Sequence, residues 1–153
     1  MASNAIYRQH ADACARFSEH SLPNACYDRP AILRLAGDVA GRRVLELGCA
    51  AGVLTEQLTD LGADVLALDR EPGMAVLARQ RLRGRARIEV ADLERPLDMV
   101  PDGSVDLVVA SLVLHYVRDR QPLLEELSHH CPRQLRTFTH GAAGNYALSR
   151  ALT

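Results

Sequence analysis

The sequence has no tryptophan, only four cysteines and no long apolar run, and these shortages exclude several classes of protein. The cysteines form no C-x-x-C pair, so neither a disulfide framework nor the ligand spacing of a zinc site is present. No stretch approaches the roughly 18 consecutive apolar residues typical of a membrane-spanning helix. The N-terminus also lacks the apolar core of a secretory signal. We therefore predict a cytoplasmic protein that binds no metal.

An excess of charge of one sign is also missing. The chain has 18 basic and 19 acidic residues, which gives no electrostatic reason to expect a nucleic acid or an anionic membrane as partner. Arginines do alternate between Arg79 and Arg87, and we interpret them as a solvated helix end, where positive charge suits the helix dipole. At 153 residues and 48% hydrophobic content, the chain is long enough for one domain with a sizeable core.

From residue 42 onward, short apolar segments alternate with segments of helical periodicity. The predicted strands cover residues 44–47, 64–69, 87–90 and 105–110, with 135–140 as a candidate fifth strand. Such alternation indicates βαβ units around a parallel sheet, with helices on both faces. We predict a three-layer α/β/α domain over residues 41–153, mostly parallel and in strand order 3-2-1-4-5. Residues 1–40 are expected to form an N-terminal helical cap.

The clearest chemical signal is the turn VLELGCAAG after the first strand. Glycines at 48 and 52 allow a ligand to approach the backbone closely, at the sheet edge where α/β proteins bind ligands. A dinucleotide requires G-x-G-x-x-G, but Ala50 and Val53 occupy the second and third glycine positions. Glu46 would repel a pyrophosphate and attract a cation. An NAD(P)-dependent oxidoreductase is therefore the less favoured interpretation.

Glu46-x-Gly48-x-Ala50-x-Gly52 resembles the acidic-x-Gly-x-Gly-x-Gly first motif of class I S-adenosylmethionine-dependent methyltransferases, with Ala50 replacing the central glycine. Later segments resemble the family's motifs in the same order, at the ends of the second, third and fourth strands. The resemblance runs from about residue 7 to about residue 127 and is closest to the small-molecule type 11/25 group. It implies a Rossmann-like methyltransferase fold, S-adenosyl-L-methionine as cofactor and a small-molecule methyl acceptor.

The resemblance also implies a role for each cofactor-binding residue. Asp69 would accept the ribose hydroxyls, and Asp92 and the Leu93 amide would contact the adenine. Met74 would pack on the adenine ring, although simple core packing explains it equally well. The cofactor-binding residues implied are Tyr7, Glu46, Gly48, Cys49, Ala50, Gly52, Asp69, Arg70, Met74, Ala91, Asp92, Leu93, Ser111 and Leu112.

The implied reaction is displacement on the sulfonium methyl, for which alignment matters most and a base is needed only if the acceptor arrives protonated. His115 is the predicted catalytic base by chemistry and position, and Tyr27 is a weaker candidate. A hydrogen-bonded histidine in the pocket wall is the alternative for His115. Tyr7 and residues 24–31 resemble a cap segment that closes over the methionine end of the cofactor and the acceptor.

After Leu127 the resemblance ends, and no sequence is predicted to form strands six and seven. We hypothesise a truncation or frameshift near residue 128. A sheet that ends at strand four or five would leave an exposed edge, so either a monomer or a homodimer is expected. The alternative function is a non-catalytic fragment that binds S-adenosylmethionine or S-adenosylhomocysteine.

Overall fold

The computed structural model describes residues 12–13, 15–16, 29–131, 135–141 and 144–150, and residues 12–13 and 15–16 are helical. The elements that follow are α1 (Arg29–Ala36), β1 (Arg43–Leu47), α2 (Val53–Asp60), β2 (Asp64–Asp69), α3 (Pro72–Leu82), β3 (Arg87–Val90), β4 (Leu107–Ser111), a 3-10 helix (Leu114–Tyr116), α4 (Gln121–His130), β5 (Leu135–Gly141) and β6 (Gly144–Arg150). None of the helices in these ranges has both the length and the apolarity needed to cross a membrane.

The strands form one sheet in the order β3-β2-β1-β4-β5-β6. The pairs from β3 to β5 are all parallel, which confirms the predicted order 3-2-1-4-5. The prediction that no strand follows the fifth is wrong, because β6 runs back antiparallel along β5, with Leu135 opposite Arg150. An antiparallel hairpin needs only a short connection, so the last residues of the chain are enough to extend the sheet.

Both faces of the sheet are buried, as the nearly continuous apolar runs of β1 and β4 require. Successive residues of β1 point to opposite faces. One face packs with α1, α2 and α3, through Ile32, Val44, Leu58, Ala78 and Leu82. The other face packs with α4 and the loop after β3, through Leu45, Leu97, Leu123 and Leu127. The predicted three-layer α/β/α architecture is confirmed.

The apolar face of α2 differs from the one its leucine spacing predicts. Leu54 and Leu58 are buried, but Leu61 lies at the C-cap of the helix and is 53% exposed. The inner face instead includes Thr55, whose side chain is completely buried. A polar group in this position requires a hydrogen-bond partner, and that partner lies in the site described below.

The N-terminal region contributes α1 to the core. Ile32 and Ala36 of this helix belong to the same buried cluster as Val44 of β1. Tyr7, predicted to bind the cofactor, and Tyr27, the weaker candidate for the base, lie outside the described residues, as does most of the predicted cap. The boundary between cap and core at residue 40 therefore stays a prediction.

Candidate functional site

A cavity of about 350 Å³ opens beside the turns that follow β1 to β4. The carboxyl ends of parallel strands meet at this edge, which is where α/β sheets bind ligands. Of the predicted site residues, those lining it are Glu46, Gly48, Cys49, Ala50, Asp69, Arg70, Met74, Ala91, Asp92, Leu93, Ser111, Leu112 and His115. Gly52 lies in the same turn without lining the cavity. Glu71 and Glu94, which the sequence did not indicate, also line it, together with Arg29 from the predicted cap segment and Val113 and Tyr116 from the segment after the fourth strand.

The turn after β1 alternates left-handed residues, with φ of 72° at Gly48, 47° at Ala50 and 81° at Gly52. A Cβ at Gly48 would lie 2.5 Å from Cγ2 of Val113, and one at Gly52 would lie 2.9 Å from a methyl of Leu82. Gly48 is therefore required by conformation and by space, and Gly52 chiefly by its conformation. Ala50 adopts the same left-handed region with a side chain, at a cost of about 1–2 kcal/mol.

Asp69, the last residue of β2, ties this turn to the next one. Its Oδ2 accepts a hydrogen bond from the Ala50 amide at 2.8 Å, and its Oδ1 accepts one from the Glu71 amide at 2.9 Å. Burial raises the pKa of Asp69, while these two backbone donors act in the opposite direction. A carboxylate has about four lone-pair directions, so each oxygen can still accept a ligand hydroxyl.

Glu46 is the most deeply buried acid of the site, with 2% of its surface exposed. Its Oε2 accepts a hydrogen bond from the Thr55 hydroxyl at 2.6 Å. Burial raises the pKa of Glu46 to about 7, against the effect of the Thr55 hydrogen bond, and the charge of Asp69 raises it further. A cation bound in the cavity would favour the ionised form of this carboxyl. Sequence reasoning identified Glu46 but missed Thr55.

Cys49 belongs to the same turn, between Gly48 and Ala50. Its side chain is buried, and burial raises the pKa of the thiol far above its ordinary value. The thiolate is the nucleophilic form of cysteine. Cys49 therefore contributes packing to the cavity wall rather than a nucleophile.

The loops after β3 and β4 form the opposite wall. Asp92 closes a short turn by accepting a hydrogen bond from the Glu94 amide at 3.0 Å. Glu94 in turn accepts one from the Arg118 amide at 2.9 Å, which joins this loop to the segment after the 3-10 helix. Leu112 stands at φ 54°, a strained conformation for a residue with a branched side chain. Such strain is often retained where it shapes a ligand site.

His115 borders the cavity from the 3-10 helix. Its ring lies 4.1 Å from the ring of Tyr116, tilted by 41°. The imidazole thus borders the cavity next to an aromatic side chain that is 47% exposed. Its role as a base or as a wall residue stays a prediction.

Arg81 of α3 stabilises the turn after β1 through hydrogen bonds. Its Nε donates to the Ala51 carbonyl at 3.0 Å, and its Nη1 donates to Glu56 at 3.2 Å. The interpretation of the arginine cluster as a solvated helix end is therefore wrong for Arg81, whose side chain is only 25% exposed. The partner lies 30 residues earlier in the chain, so no local pattern could have indicated the contact.

The cavity as a whole suits a ligand with a cationic group, hydroxyls and an apolar ring. Glu46 places a carboxyl group where a pyrophosphate would be repelled, and Asp69 places one that can accept ribose hydroxyls. Met74 and Leu93 supply apolar surface farther along. Among the described residues, no group of His, Cys, Asp or Glu side chains could hold a metal ion. The residues present fit S-adenosylmethionine, which carries an ammonium and a sulfonium and no phosphate.

Comparison with known proteins agrees with this chemistry. Residues 45–133, more than half of the chain, match the methyltransferase domain family. The magnesium-protoporphyrin O-methyltransferase of Rhodobacter capsulatus is 37% identical over 100 residues, which cover 61% of this chain and 43% of that protein. The demethylmenaquinone methyltransferase of Clavibacter sepedonicus is 34% identical over 99 residues, which cover 65% and 40% of the two chains.

A solved structure shares the fold. An S-adenosylmethionine-dependent methyltransferase from Mesorhizobium loti superposes with a TM-score of 0.70 at 23% identity, covering 88% of this chain and 67% of that one. The match to the two curated relatives spans about two fifths of their length.

Proposed function

The chain belongs to the methyltransferase domain family, and from this membership and the chemistry of its cavity we propose that it transfers a methyl group from S-adenosylmethionine to a small-molecule acceptor. The observation that carries the proposal is the buried carboxyl group of Glu46, which borders one cavity together with the partly buried Asp69 beside a glycine turn. Glu46 opposes a phosphate-bearing cofactor and favours a cationic one, and Asp69 suits its ribose hydroxyls.

Different residues of the cavity bind different parts of the cofactor. Glu46 faces the ammonium group, Asp69 accepts the ribose hydroxyls through its remaining lone pairs, and Asp92 with the Leu93 amide contacts the adenine edge. Among the described residues, the Leu93 amide donates to no other backbone group, which leaves it available to a ligand. When bound, S-adenosylmethionine supplies an activated methyl group for in-line displacement.

The acceptor side of the cavity is bordered by His115, Tyr116 and Val113. The exposed face of Tyr116 offers an apolar surface for an acceptor, and the imidazole of His115 can remove a proton from an acceptor hydroxyl or amine. Both relatives described above are named for the methylation of small molecules, which supports the same acceptor class here. A cytoplasmic location and a monomer or homodimer remain part of the proposal.

The test is calorimetric titration of the purified chain with S-adenosylhomocysteine, with NAD as the control ligand. We expect saturable binding of the first and none of the second. Glu46→Gln and Asp69→Asn should each weaken binding, because each removes a negative charge from one end of the cofactor site. A folded chain that binds neither ligand, or that prefers NAD, would overturn the proposal.

A chain that holds the cofactor without turnover is the second candidate. Among the residues that the structure describes, those lining the cavity lie between positions 15 and 117, whereas the match covers only about two fifths of each curated relative. Transfer of a labelled methyl group to candidate acceptors distinguishes the two functions. Binding of S-adenosylhomocysteine with no transfer to any acceptor would favour this second candidate.

A further inference from the structure

Thr55 is a completely buried polar residue on the inner face of α2, between the buried Leu54 and Leu58. Its hydroxyl donates to Oε2 of Glu46 at 2.6 Å. This is the short distance typical of a hydroxyl that donates to an ionised carboxylate. Thr55 is therefore a specific partner of the buried acid rather than a packing residue that happens to be polar.

The hydroxyl of Thr55 does not use the partner that a helical threonine commonly uses. Such hydroxyls often donate to the carbonyl four residues earlier, and Thr59 on the same helix does so, at 2.7 Å from the carbonyl oxygen of Thr55. For Thr55 the equivalent carbonyl belongs to Ala51, which accepts the hydrogen bond from Arg81. The Thr55 hydroxyl is directed to Glu46 instead.

The hydrogen bond fixes one oxygen of the carboxyl group and leaves the other available. Glu46 lies in β1 between Ala67 of β2 and Val109 of β4, neither of which has a polar side chain. Asp69 disfavours the ionised form of Glu46, and the neighbouring Cys49 carries no positive charge. Among the described residues, Thr55 is the group that favours the ionised carboxylate.

We propose that Thr55 is a positioning residue for cofactor binding, whose hydroxyl holds the Glu46 carboxylate ionised and oriented to receive the ammonium group of S-adenosylmethionine. The inference rests on the proposed function. It predicts that removal of the Thr55 hydroxyl weakens cofactor binding most where Glu46 is partly protonated, because the carboxyl must then lose a proton before it can pair with the ligand.

The experiment measures the dissociation constant of S-adenosylhomocysteine between pH 5.5 and 8.5 by calorimetry. The variants are Thr55→Val, which removes only the hydroxyl, Thr55→Ser, which retains it, and Thr59→Val, which removes the hydroxyl that bonds within the helix. Circular dichroism and thermal unfolding establish that each variant folds. If Thr55→Val does not fold, Thr55→Ala, which places no methyl group beside the carboxylate, takes its place.

For the wild type, affinity should rise with pH through about 7 and then level off, because the ionised form of Glu46 binds the ligand. Loss of one hydrogen bond to a carboxylate should move this midpoint upward by about one pH unit, and so weaken binding about fivefold at pH 7. Thr55→Ser and Thr59→Val should keep the wild-type midpoint.

Two outcomes count against the inference, and they differ in whether the proposed function is also lost. A folded Thr55→Val variant with the wild-type pH profile would overturn the role of Thr55 and leave the proposed function intact. Failure of the folded wild-type chain to bind S-adenosylhomocysteine would overturn the proposed function, and the role of Thr55 with it.

Discussion

The burial of Glu46 predicts that the chain gains stability when this carboxyl loses its charge. We consider Glu46→Gln, which keeps the size of the side chain and can still accept the Thr55 hydrogen bond through its amide oxygen. The substitution removes the charge that burial disfavours. The folded protein should therefore be more stable, although it binds the cofactor less well.

The size and sign of the effect follow from the pKa of Glu46, which rises from 4.5 to about 7 on folding. Between these values the folded chain binds more protons than the unfolded chain, so the free energy of unfolding falls as pH rises through this window. Outside the window this contribution is constant. A pKa shift of this size corresponds to about 3 kcal/mol in the free energy of unfolding, and the wild type has lost this contribution by pH 8. Glu46→Gln has no such dependence.

The assay is urea unfolding of both proteins without ligand, at pH values from 4.5 to 8.5. We expect Glu46→Gln to be more stable than the wild type by up to about 3 kcal/mol at pH 8, with a difference that shrinks toward zero near pH 4.5. The raised pKa of Asp69 acts with the same sign in both proteins and cancels in the difference. A difference independent of pH, or a wild type more stable at pH 8, would refute the reasoning.

Three further predictions concern the turn after β1. Gly48→Ala should destabilise the fold by about 2–4 kcal/mol in chemical unfolding, because the backbone at this position is left-handed and the new Cβ meets Val113. The double variant with Val113→Ala should recover part of the loss, and additive effects would contradict the contact. Ala50→Gly should stabilise the fold by about 1 kcal/mol in the same assay, because it relieves the left-handed alanine, and an unchanged or lower midpoint would argue against strain there. Arg81→Met should weaken S-adenosylhomocysteine binding in calorimetry severalfold more than Arg85→Met does, since both arginines pair with Glu56 but only Arg81 contacts the turn. Equal losses of affinity in the two variants would mean that the ion pair with Glu56 matters rather than the contact with the turn.

The parallel part of the fold could be predicted because its information is local. Strand and helix alternation, glycine at the turns and proline at the start of α3 are all visible within a few residues. The sixth strand could not be predicted in this way. Residues 144–150 carry no clear apolar alternation, and the strand is defined by its pairing with β5 rather than by its own pattern.

In the candidate site too, some residues could be predicted from local sequence and others depend on contacts across the fold. The motif residues Glu46 and Asp69 lie at strand ends and were found from sequence, and both border the cavity. Thr55 and Arg81 were missed because each acts through a contact made across the fold, with a carboxylate and a carbonyl respectively. The packing of Val113 against Gly48 was missed for the same reason. Sequence patterns show which residues can face a ligand, but they do not show which residues hold those groups in place.

The unfavourable features of the structure concentrate around the cavity, and their placement supports a binding role. Glu46 is a buried acid with a raised pKa, and both Ala50 and Leu112 adopt left-handed backbone conformations as non-glycine residues. Each feature costs stability that an apolar residue or a glycine would restore. Within the described residues, only Arg83 shares the left-handed conformation elsewhere, at the exposed C-cap of α3. Costly features retained at one cavity are what selection for a bound ligand produces, so substitutions that relieve those at Glu46 and Leu112 should stabilise the chain and weaken cofactor binding together. Ala50 differs, because the resembling family carries glycine there and Ala50→Gly should relieve strain without weakening binding.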